Sequence, residues 1–246
     1  MIKTGDQHLD QLRDGRVVYI GDEKVDDVTK HPAFERAAKT VARLYDIKHQ
    51  EIYKDSLTYE ENGETFSTWF LQAKSRDDLR KRSKAHKIIA DQTCGMMGRS
   101  MDHVASFVTG MSTSPDIFDS GKYKFKNNLL NYYDFIKKND TFASYAVVPP
   151  QAARNPEFYQ KQNLPIPTLS VVEENEKGVV ISGMKMLATS AVFANEIWIG
   201  NLVPLAPDQI KQAITCAIPC NVEGLSLWMR HCLLYTSDAA DDSDCV

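Results

Sequence analysis

The sequence predicts an α+β fold with helices first and strands after. Three observations carry this. Apolar residues recur at helical spacing through much of the first 148 residues. Beyond Pro149-Pro150 the pattern changes to short β-rich runs. No apolar stretch approaches the roughly 20 residues of a membrane span. Residues 1–148 are therefore read as a mainly helical domain, 149–230 as a partial β domain, and 231–246 as a separate tail.

The elements follow in order. Thr4 and Gln7 make a capping-box pair for a brief first helix, with Leu9 and Leu12 on one face and Gly15 as its stop. Arg16 to Ile20 reads as a strand, Gly21-Asp22 as a turn and Glu23 to Val25 as its return. Pro32 marks a helix start, because the first turn needs no N–H there. Phe34, Ala37, Ala38, Val41, Ala42 and Tyr45 give that helix its buried face. Asn62-Gly63 turns a hairpin between Leu57-Thr58-Tyr59 and Phe66 to Phe70. Ser75, with Asp78 three residues on, opens a long helix. Its Arg76, Arg80, Lys81, Arg82, Lys84 and Lys87 read as a solvated face, since Leu79, Ala85, Ile88 and Ile89 supply a buried one. Further helices are expected over Asp102 to Met111, just after Ser114-Pro115-Asp116, and over Asn127 to Lys138. Residues Ala152 to Pro167 read as a connection. Strands are expected at Leu169 to Glu173, Val179 to Ser182, Glu196 to Gly200 and Ala213 to Pro219, with Lys177-Gly178 turning the first pair.

Composition excludes some functions. Lys and Arg number 29 against 33 Asp and Glu. Cys232 to Asp241 resembles the translation of a transposase-type sequencing adaptor, so 231–246 is expected to be foreign and is left out of fold reasoning. Without its four acids (Asp238, Asp241, Asp242, Asp244) the balance is 29 to 29. No field remains that would gather nucleic acid or an anionic membrane. The tail also holds two of the five cysteines, leaving Cys94, Cys216 and Cys220. An odd, sparse set fits a reducing cytoplasm, and the spacing gives no metal site.

Two segments bear chemistry. In Gly95-Met96-Met97-Gly98-Arg99-Ser100-Met101-Asp102-His103 a fixed cation and an imidazole stand four residues apart. Arg99 falls just before a helix N-terminus and His103 in its first turn. Cys94, Met96, Met97 and Met101 are apolar or soft, so the segment is expected to be part-buried, and a buried guanidinium requires an anionic or strongly polar partner. The pair suits the holding of an ionising hydroxyl. Tyr145 lies in the apolar run Phe142 to Gln151, where a tyrosine is commonly a core residue.

Gly98 to His103 resembles the Gly-Arg-Ser-x-Asp-His/Tyr motif of the 4-hydroxyphenylacetate 3-hydroxylase family of two-component flavin monooxygenases. Tyr145-Ala146-Val147-Val148-Pro149-Pro150-Gln151 resembles a second motif of that family, and Glu176 to Ser190, with its Gly183-Met184-Lys185 strand, a third. Asp14 to Tyr19 and Thr29 to Phe34 add to the likeness, which runs from about Thr4 to about Trp228.

The resemblance implies an acyl-CoA dehydrogenase-like fold: a helical domain, an incomplete β-barrel-like middle domain, and a C-terminal helical bundle missing from this chain. It implies FAD, as FADH2 delivered by a separate flavin reductase, which with O2 forms a C4a-hydroperoxide that hydroxylates a phenol such as 4-hydroxyphenylacetate ortho to its OH. It assigns Arg99, His103 and Tyr145 to catalysis and Gln151, Thr189 and Ser190 to the cofactor, with a homotetramer for the full-length protein. The family commonly has Tyr where this chain has His103 and His where it has Tyr145. The exchange keeps a phenol-holding pair and leaves the substrate open. The related 4-hydroxybutyryl-CoA dehydratases place two iron–sulfur cysteines near Cys94 and Gly98, and only Cys94 is a cysteine here. A noncatalytic partner-binding scaffold is the alternative of a different class. The chain alone is expected to be poorly stable and inactive, with strand edges left unpaired. Re-sequencing the source DNA across codon 230 checks the tail: the genomic frame is expected to diverge there, and an unbroken frame encoding Cys232 to Val246 would end the idea.

Overall fold

The computed structural model describes residues 2–229 apart from Pro165, Lys177, Leu187, Val203 and Pro204. The 231–246 tail and half of the Lys177-Gly178 turn therefore lie outside the described residues. Helix α1 (Gly5–Gln11) starts at the expected capping box: Thr4 Oγ1 accepts from the Gln7 N–H at 3.2 Å, and Gln7 Oε1 accepts from the Thr4 N–H at 2.9 Å. Strands β1 (Val17–Ile20) and β2 (Glu23–Val25) pair antiparallel. Pro32 sits in a turn rather than in the helix, because the His31 carbonyl accepts from both Phe34 and Glu35, and α2 (Glu35–Asp46) begins after it. Helix α3 (Glu51–Leu57) has no sequence signal, since only Ser56 and Leu57 of it are buried. It runs into the hairpin of β3 (Thr58–Glu61) and β4 (Glu64–Ser67), turned at Asn62-Gly63 as expected.

Helix α4 (Arg76–Gln92) opens on Ser75, whose hydroxyl accepts from the Asp78 N–H while the Asp78 carboxylate accepts from the Ser75 N–H. Then come α5 (Met101–Ser112), a short 3-10 turn over Pro115–Asp119, and α6 (Lys126–Lys138). Strand β5 (Ala143–Ala146) follows at once. Every residue from Phe142 to Val147 except Tyr145 is buried, so the run shows no alternation that would mark a strand. In the expected connection lies α7 (Pro156–Lys161), with Pro156 at its first position and the Asn155 side chain capping it; without a buried residue it has no periodic signal. Strands β6 (Ser170–Asn175), β7 (Gly178–Ser182), β8 (Glu196–Ile199), β9 (Cys216–Pro219) and β10 (Ser226–Met229) complete the order. Gly183, at φ 128°, ends β7 where an added Cβ would meet the Thr168 carbonyl oxygen at 2.1 Å.

Two small sheets are closed by pairings distant in sequence. β1 pairs parallel with β10, Val17 opposite Ser226, and β5 pairs parallel with β8, Tyr145 opposite Trp198. β9 lies antiparallel on the far side of β8. The Pro149-Pro150 step marks a change from helix to strand along the chain, yet both sheets join strands from either side of it. One continuous core runs from Leu12 through Val104, Val108 and Ile197 to Leu227. Among the described residues no barrel closes, and no helix is long and apolar enough to cross a membrane.

A buried polar knot fixes the entry to β5. Asp140, at φ 47° between α6 and β5, pairs with Lys48, which is fully buried. It also accepts from Ser67 Oγ at 2.7 Å and the Lys3 N–H at 3.2 Å, while its carbonyl accepts from Tyr45 Oη. The Lys48 ammonium lies 4.2 Å from the Tyr45 ring centroid. Burial works against the Asp140 charge, but Lys48 holds the carboxyl below its usual range. The pair's contribution is therefore present above the ordinary carboxylate pKa and lost as pH falls through the lowered one. Asp140→Ala is expected to cost about 3–5 kcal/mol by leaving Lys48 buried and unpaired, and Lys48→Met with Asp140→Leu to recover most of it. Urea denaturation of the parent and the two variants checks this; Asp140→Ala as stable as the parent would show the knot to be unimportant.

Candidate active site

The candidate site is built where α5 crosses β5 and β8. Helix α5 begins after Ser100, so Met101 is its first residue and His103 its third, with Arg99 just outside. His103 and Phe107 are one turn apart on the same face. Their rings meet edge-on at 5.8 Å. Tyr145, from β5, lies 6.1 Å from the His103 ring and 5.3 Å from Phe107. Trp198, opposite Tyr145 on β8, packs on Phe107 at 5.7 Å and on Tyr132 of α6 at 5.3 Å. Glu196, two residues from Trp198 on the same strand face, accepts from Tyr132 Oη at 2.8 Å. The result is a half-buried aromatic wall with an imidazole and a phenol at one end.

A glycine leaves it room and a lysine braces it. A Cβ on Gly200 would come within 3.1 Å of Tyr145 Oη, so glycine leaves room for the phenol group. Lys185 ties the ends of β5 and β8 together: its Nζ donates to the carbonyls of Val147 and Gly200 and to Asn201 Oδ1, at 3.3, 3.0 and 2.9 Å. All three ammonium donors are thereby used, which makes Lys185 a brace.

The catalytic candidates are thus brought together in part. His103 and Tyr145 face one another, and Arg99 is near enough that its charge acts on the His103 ring. The Arg99 segment is part-buried as expected, but Arg99 itself is not. Cys94 and Gly95 adopt left-handed conformations, φ 52° and 74°, and turn the chain outward. Met96 is 81% exposed and Arg99 is exposed too, while Met97 packs half-buried against the core and Met101 is fully buried. Among the described residues Arg99 has no ion-pair partner.

The cofactor candidates lie elsewhere. Ser144 Oγ donates to the Thr189 carbonyl at 2.7 Å, and Ser144 points to the strand face opposite Tyr145. Thr189 and Ser190 therefore stand behind β5. The Thr189 side chain is exposed, and Ser190 is half-buried with φ 63°. Gln151 is exposed in a 3-10 turn after Pro150. Cys94 is exposed, and the described residues hold no group of three or more His, Cys, Asp or Glu placed to hold a metal ion. Sequence reasoning missed Phe107, Trp198, Tyr132 and Glu196. The i, i+4 spacing from His103 was the available sign for Phe107; the other three are brought in by strand pairing and helix packing.

Helices packed over short sheets in this order define an acyl-CoA dehydrogenase-like fold. A solved oxygenase component (HpaB) of 4-hydroxyphenylacetate 3-monooxygenase, in complex with FAD and 4-hydroxyphenylacetate, superposes with a TM-score of 0.82 at 34% identity, over 92% of this chain and 46% of that one. An archaeal 4-hydroxybutyryl-CoA dehydratase from N. maritimus shares the fold, with a TM-score of 0.76 at 22% identity over 91% of this chain and 45% of its own. The chain belongs to the family described as 4-hydroxyphenylacetate 3-hydroxylase N terminal, whose model matches residues 4–245. That span includes most of the tail, whose foreign origin stays a proposal. The oxygenase component of 4-hydroxyphenylacetate 3-monooxygenase from Thermus thermophilus is 36% identical over 238 residues, 95% of this chain and 48% of that protein. The oxygenase component of 4-nitrophenol 2-monooxygenase from a Rhodococcus species is 34% identical over 92% of this chain and 43% of its own. The chain spans about half the length of the curated relatives it matches.

Burial pushes the His103 pKa down and the Arg99 charge pushes it further, while Asp102 pulls it partly back. His103 therefore stays neutral to lower pH than a free imidazole. Arg99→Ala is expected to raise the His103 pKa by removing the neighbouring cation. A ring-carbon NMR titration of His103 in parent and variant reads this, and an unmoved or lowered midpoint would mean that Arg99 does not face the imidazole.

Proposed function

We propose that this chain is the N-terminal part of the oxygenase component of a two-component, FADH2-dependent monooxygenase that hydroxylates a phenol ortho to its OH. The observation that carries the reading is the meeting of the His103 and Tyr145 rings at one end of an aromatic wall, with the exposed, unpaired Arg99 close enough for its charge to act on the imidazole. A phenolic OH has a pKa near 10, yet its anion is the stronger carbon nucleophile. Arg99 stabilises that anion with a planar cation. A ring nitrogen of His103, held unprotonated, accepts the proton, and Tyr145 Oη donates a hydrogen bond to the phenolate oxygen. Phe107 and Trp198 pack the ring and exclude water.

Gln151, Thr189 and Ser190 are hydrogen-bonding side chains that the fold leaves accessible or half-buried, and they would hold FAD, Thr189 and Ser190 from the face of β5 opposite Tyr145. When bound as FADH2, the cofactor supplies with O2 the oxygen atom that reaches the ring. A flavin reductase as partner, a homotetrameric full-length enzyme and a cytoplasmic setting belong to the same reading; the free Cys94, Cys216 and Cys220 support the last.

In the full-length protein, Arg99→Ala is expected to lower phenol hydroxylation on the order of tenfold to a hundredfold and to leave FADH2 binding unchanged. Lys at that position should recover only part, because an ammonium lacks the planar fork. Single-turnover mixing of reduced enzyme with O2 and 4-hydroxyphenylacetate, following catechol formed per FADH2 oxidised, makes the measurement. Hydroxylation at the parental rate and yield would return Arg99 to the role of a solvated surface cation.

A further inference from the structure

Behind the Arg99 segment a second polar cluster joins α4 to α5. Asp102, the second residue of α5, has a largely buried carboxylate, its side chain 14% exposed. One oxygen lies 2.5 Å from His86 Nδ1, and the other accepts from Ser100 Oγ at 2.6 Å. On the far side of its ring, His86 Nε2 stands 3.3 Å from Ser106 Oγ. The histidine thus touches α5 at two points one turn apart. Burial works against the Asp102 charge, but the His86 and Ser100 hydrogen bonds hold its pKa below the usual range.

Two further observations give this cluster a purpose. Ser100 is the N-cap of α5, yet its hydroxyl makes no cap hydrogen bond and turns to Asp102 instead. The helix start forgoes the ordinary use of a capping serine. Beneath the turn lies a cavity of about 230 Å³ lined by Ile89, Ala90, Met97 and Gly98 together with His86 and Asp102. The stretch from Gly95 to Arg99 is exposed except at Met97. Close packing therefore does not fix where Arg99 stands, and the hydrogen bonds at Ser100 and Asp102 remain to do it.

We propose that His86 and Asp102 are positioning residues for phenol hydroxylation: through Ser100 they latch the Gly98-Arg99-Ser100 turn to α4 and set where Arg99 and His103 meet the substrate. The proposal rests on the reading of Arg99 and His103 as the phenol site. The latch is a neighbour of that site and does not touch the phenol. Its carboxylate also faces His103 electrostatically, alongside Arg99 from the preceding turn and Tyr145 from β5, with His86 standing behind it from α4.

The test uses the full-length enzyme with FADH2, O2 and 4-hydroxyphenylacetate as probe, in the variants His86→Ala, His86→Asn, Asp102→Asn and Arg99→Ala. A misplacement of about 1 Å costs up to a hundredfold in rate. His86→Ala and Asp102→Asn are expected to lose on the order of tenfold in kcat and in catechol per FADH2 oxidised, with FADH2 binding unchanged. His86→Asn, whose amide nitrogen takes the place of Nδ1, should recover most of that loss. Asp102→Asn removes a negative neighbour, so the His103 pKa falls and the acid limb of the kcat profile moves to lower pH. His86→Asn keeps that charge and should leave the limb in place.

A latch with only a structural role gives lower melting temperatures at parental kcat and coupling, and no advantage of Asn over Ala at position 86; that result overturns the proposal. So does parental kcat and coupling in His86→Ala. If His86→Ala does not fold, kcat and catechol per FADH2 oxidised in Asp102→Asn and in His86→Asn decide: a loss in the first that is largely absent in the second supports the proposal, and parental values in Asp102→Asn overturn it. Arg99→Ala separates the two levels of inference. If it hydroxylates at the parental rate and yield, the phenol-site reading fails and takes the latch with it. If it is impaired while His86→Ala is not, the latch alone fails.

Discussion

The structure depends on one buried ion pair. Lys48 and Asp140 lie in the core, the aspartate just before the strand that carries Tyr145. Asp140 stands at the left-handed turn from which β5 starts. Two residues on, the Phe142 N–H donates to Asn195 Oδ1, which also accepts from Lys3 Nζ. Asn195 directly precedes β8. The same knot thus sets the starts of both strands that carry Tyr145 and Trp198. Such a pair repays its desolvation only when the remaining donors and acceptors are satisfied, and here Ser67, Tyr45 and the Lys3 backbone satisfy them. A wholly apolar junction would fill the same space without fixing the register between β5 and β8, and a one-residue slip would turn Tyr145 away from His103.

From that fixed floor the site is assembled by helix periodicity. α5 lays His103 and Phe107 over β5 because residues four apart share a face. The opposite stripe, Met101, Val104, Ala105 and Val108, is buried in the core. The chemical side chains are therefore the half-buried edge of a helix whose other residues are fully committed. Lys185 gives the strands the same support, as its three hydrogen bonds hold the chain ends just past Tyr145 and Trp198.

What was legible in the sequence follows from the range of each interaction. The capping boxes at Thr4 and Ser75, the Asn62-Gly63 hairpin, the stripe of α2 and the extents of α5 and α6 are encoded within a few residues and stand close to where they are expected. The family motifs singled out Arg99, His103 and Tyr145, and the fold brings the rings of His103 and Tyr145 within 6.1 Å of each other. The parallel pairings of β1 with β10 and of β5 with β8 were not legible, because each joins strands separated by at least one intervening helix or sheet and their register is decided by tertiary packing. β5 itself was hidden by being buried on both faces, and α3 and α7 by being buried on almost none. The burial of Arg99 was misjudged for a local reason. Cys94 and the methionines look apolar in composition, but the left-handed backbone at Cys94-Gly95 sends Met96 outward, and composition carries no sign of that.

The exposure of Arg99 bears on how the site works. A cation in water interacts weakly even with a partner at close range, since a pair 4 Å apart gains only about 1 kcal/mol at the dielectric of water and several times more once water is displaced. An aromatic substrate lying on Phe107 and Trp198 would remove that water by its own bulk, so the cation gains strength as the ring arrives. His103 already carries the cost of burial in its lowered pKa, which keeps it an acceptor before the substrate binds. On the proposed reading the two groups divide the work between states: the imidazole is set in the free protein, and the guanidinium would act on the bound anion. Such a division tolerates exchange of histidine and tyrosine between positions 103 and 145, because either arrangement leaves one acceptor and one donor facing the phenolic oxygen. It does not tolerate movement of Arg99 along the turn, because a cation that becomes strong only on contact must already stand where contact is made.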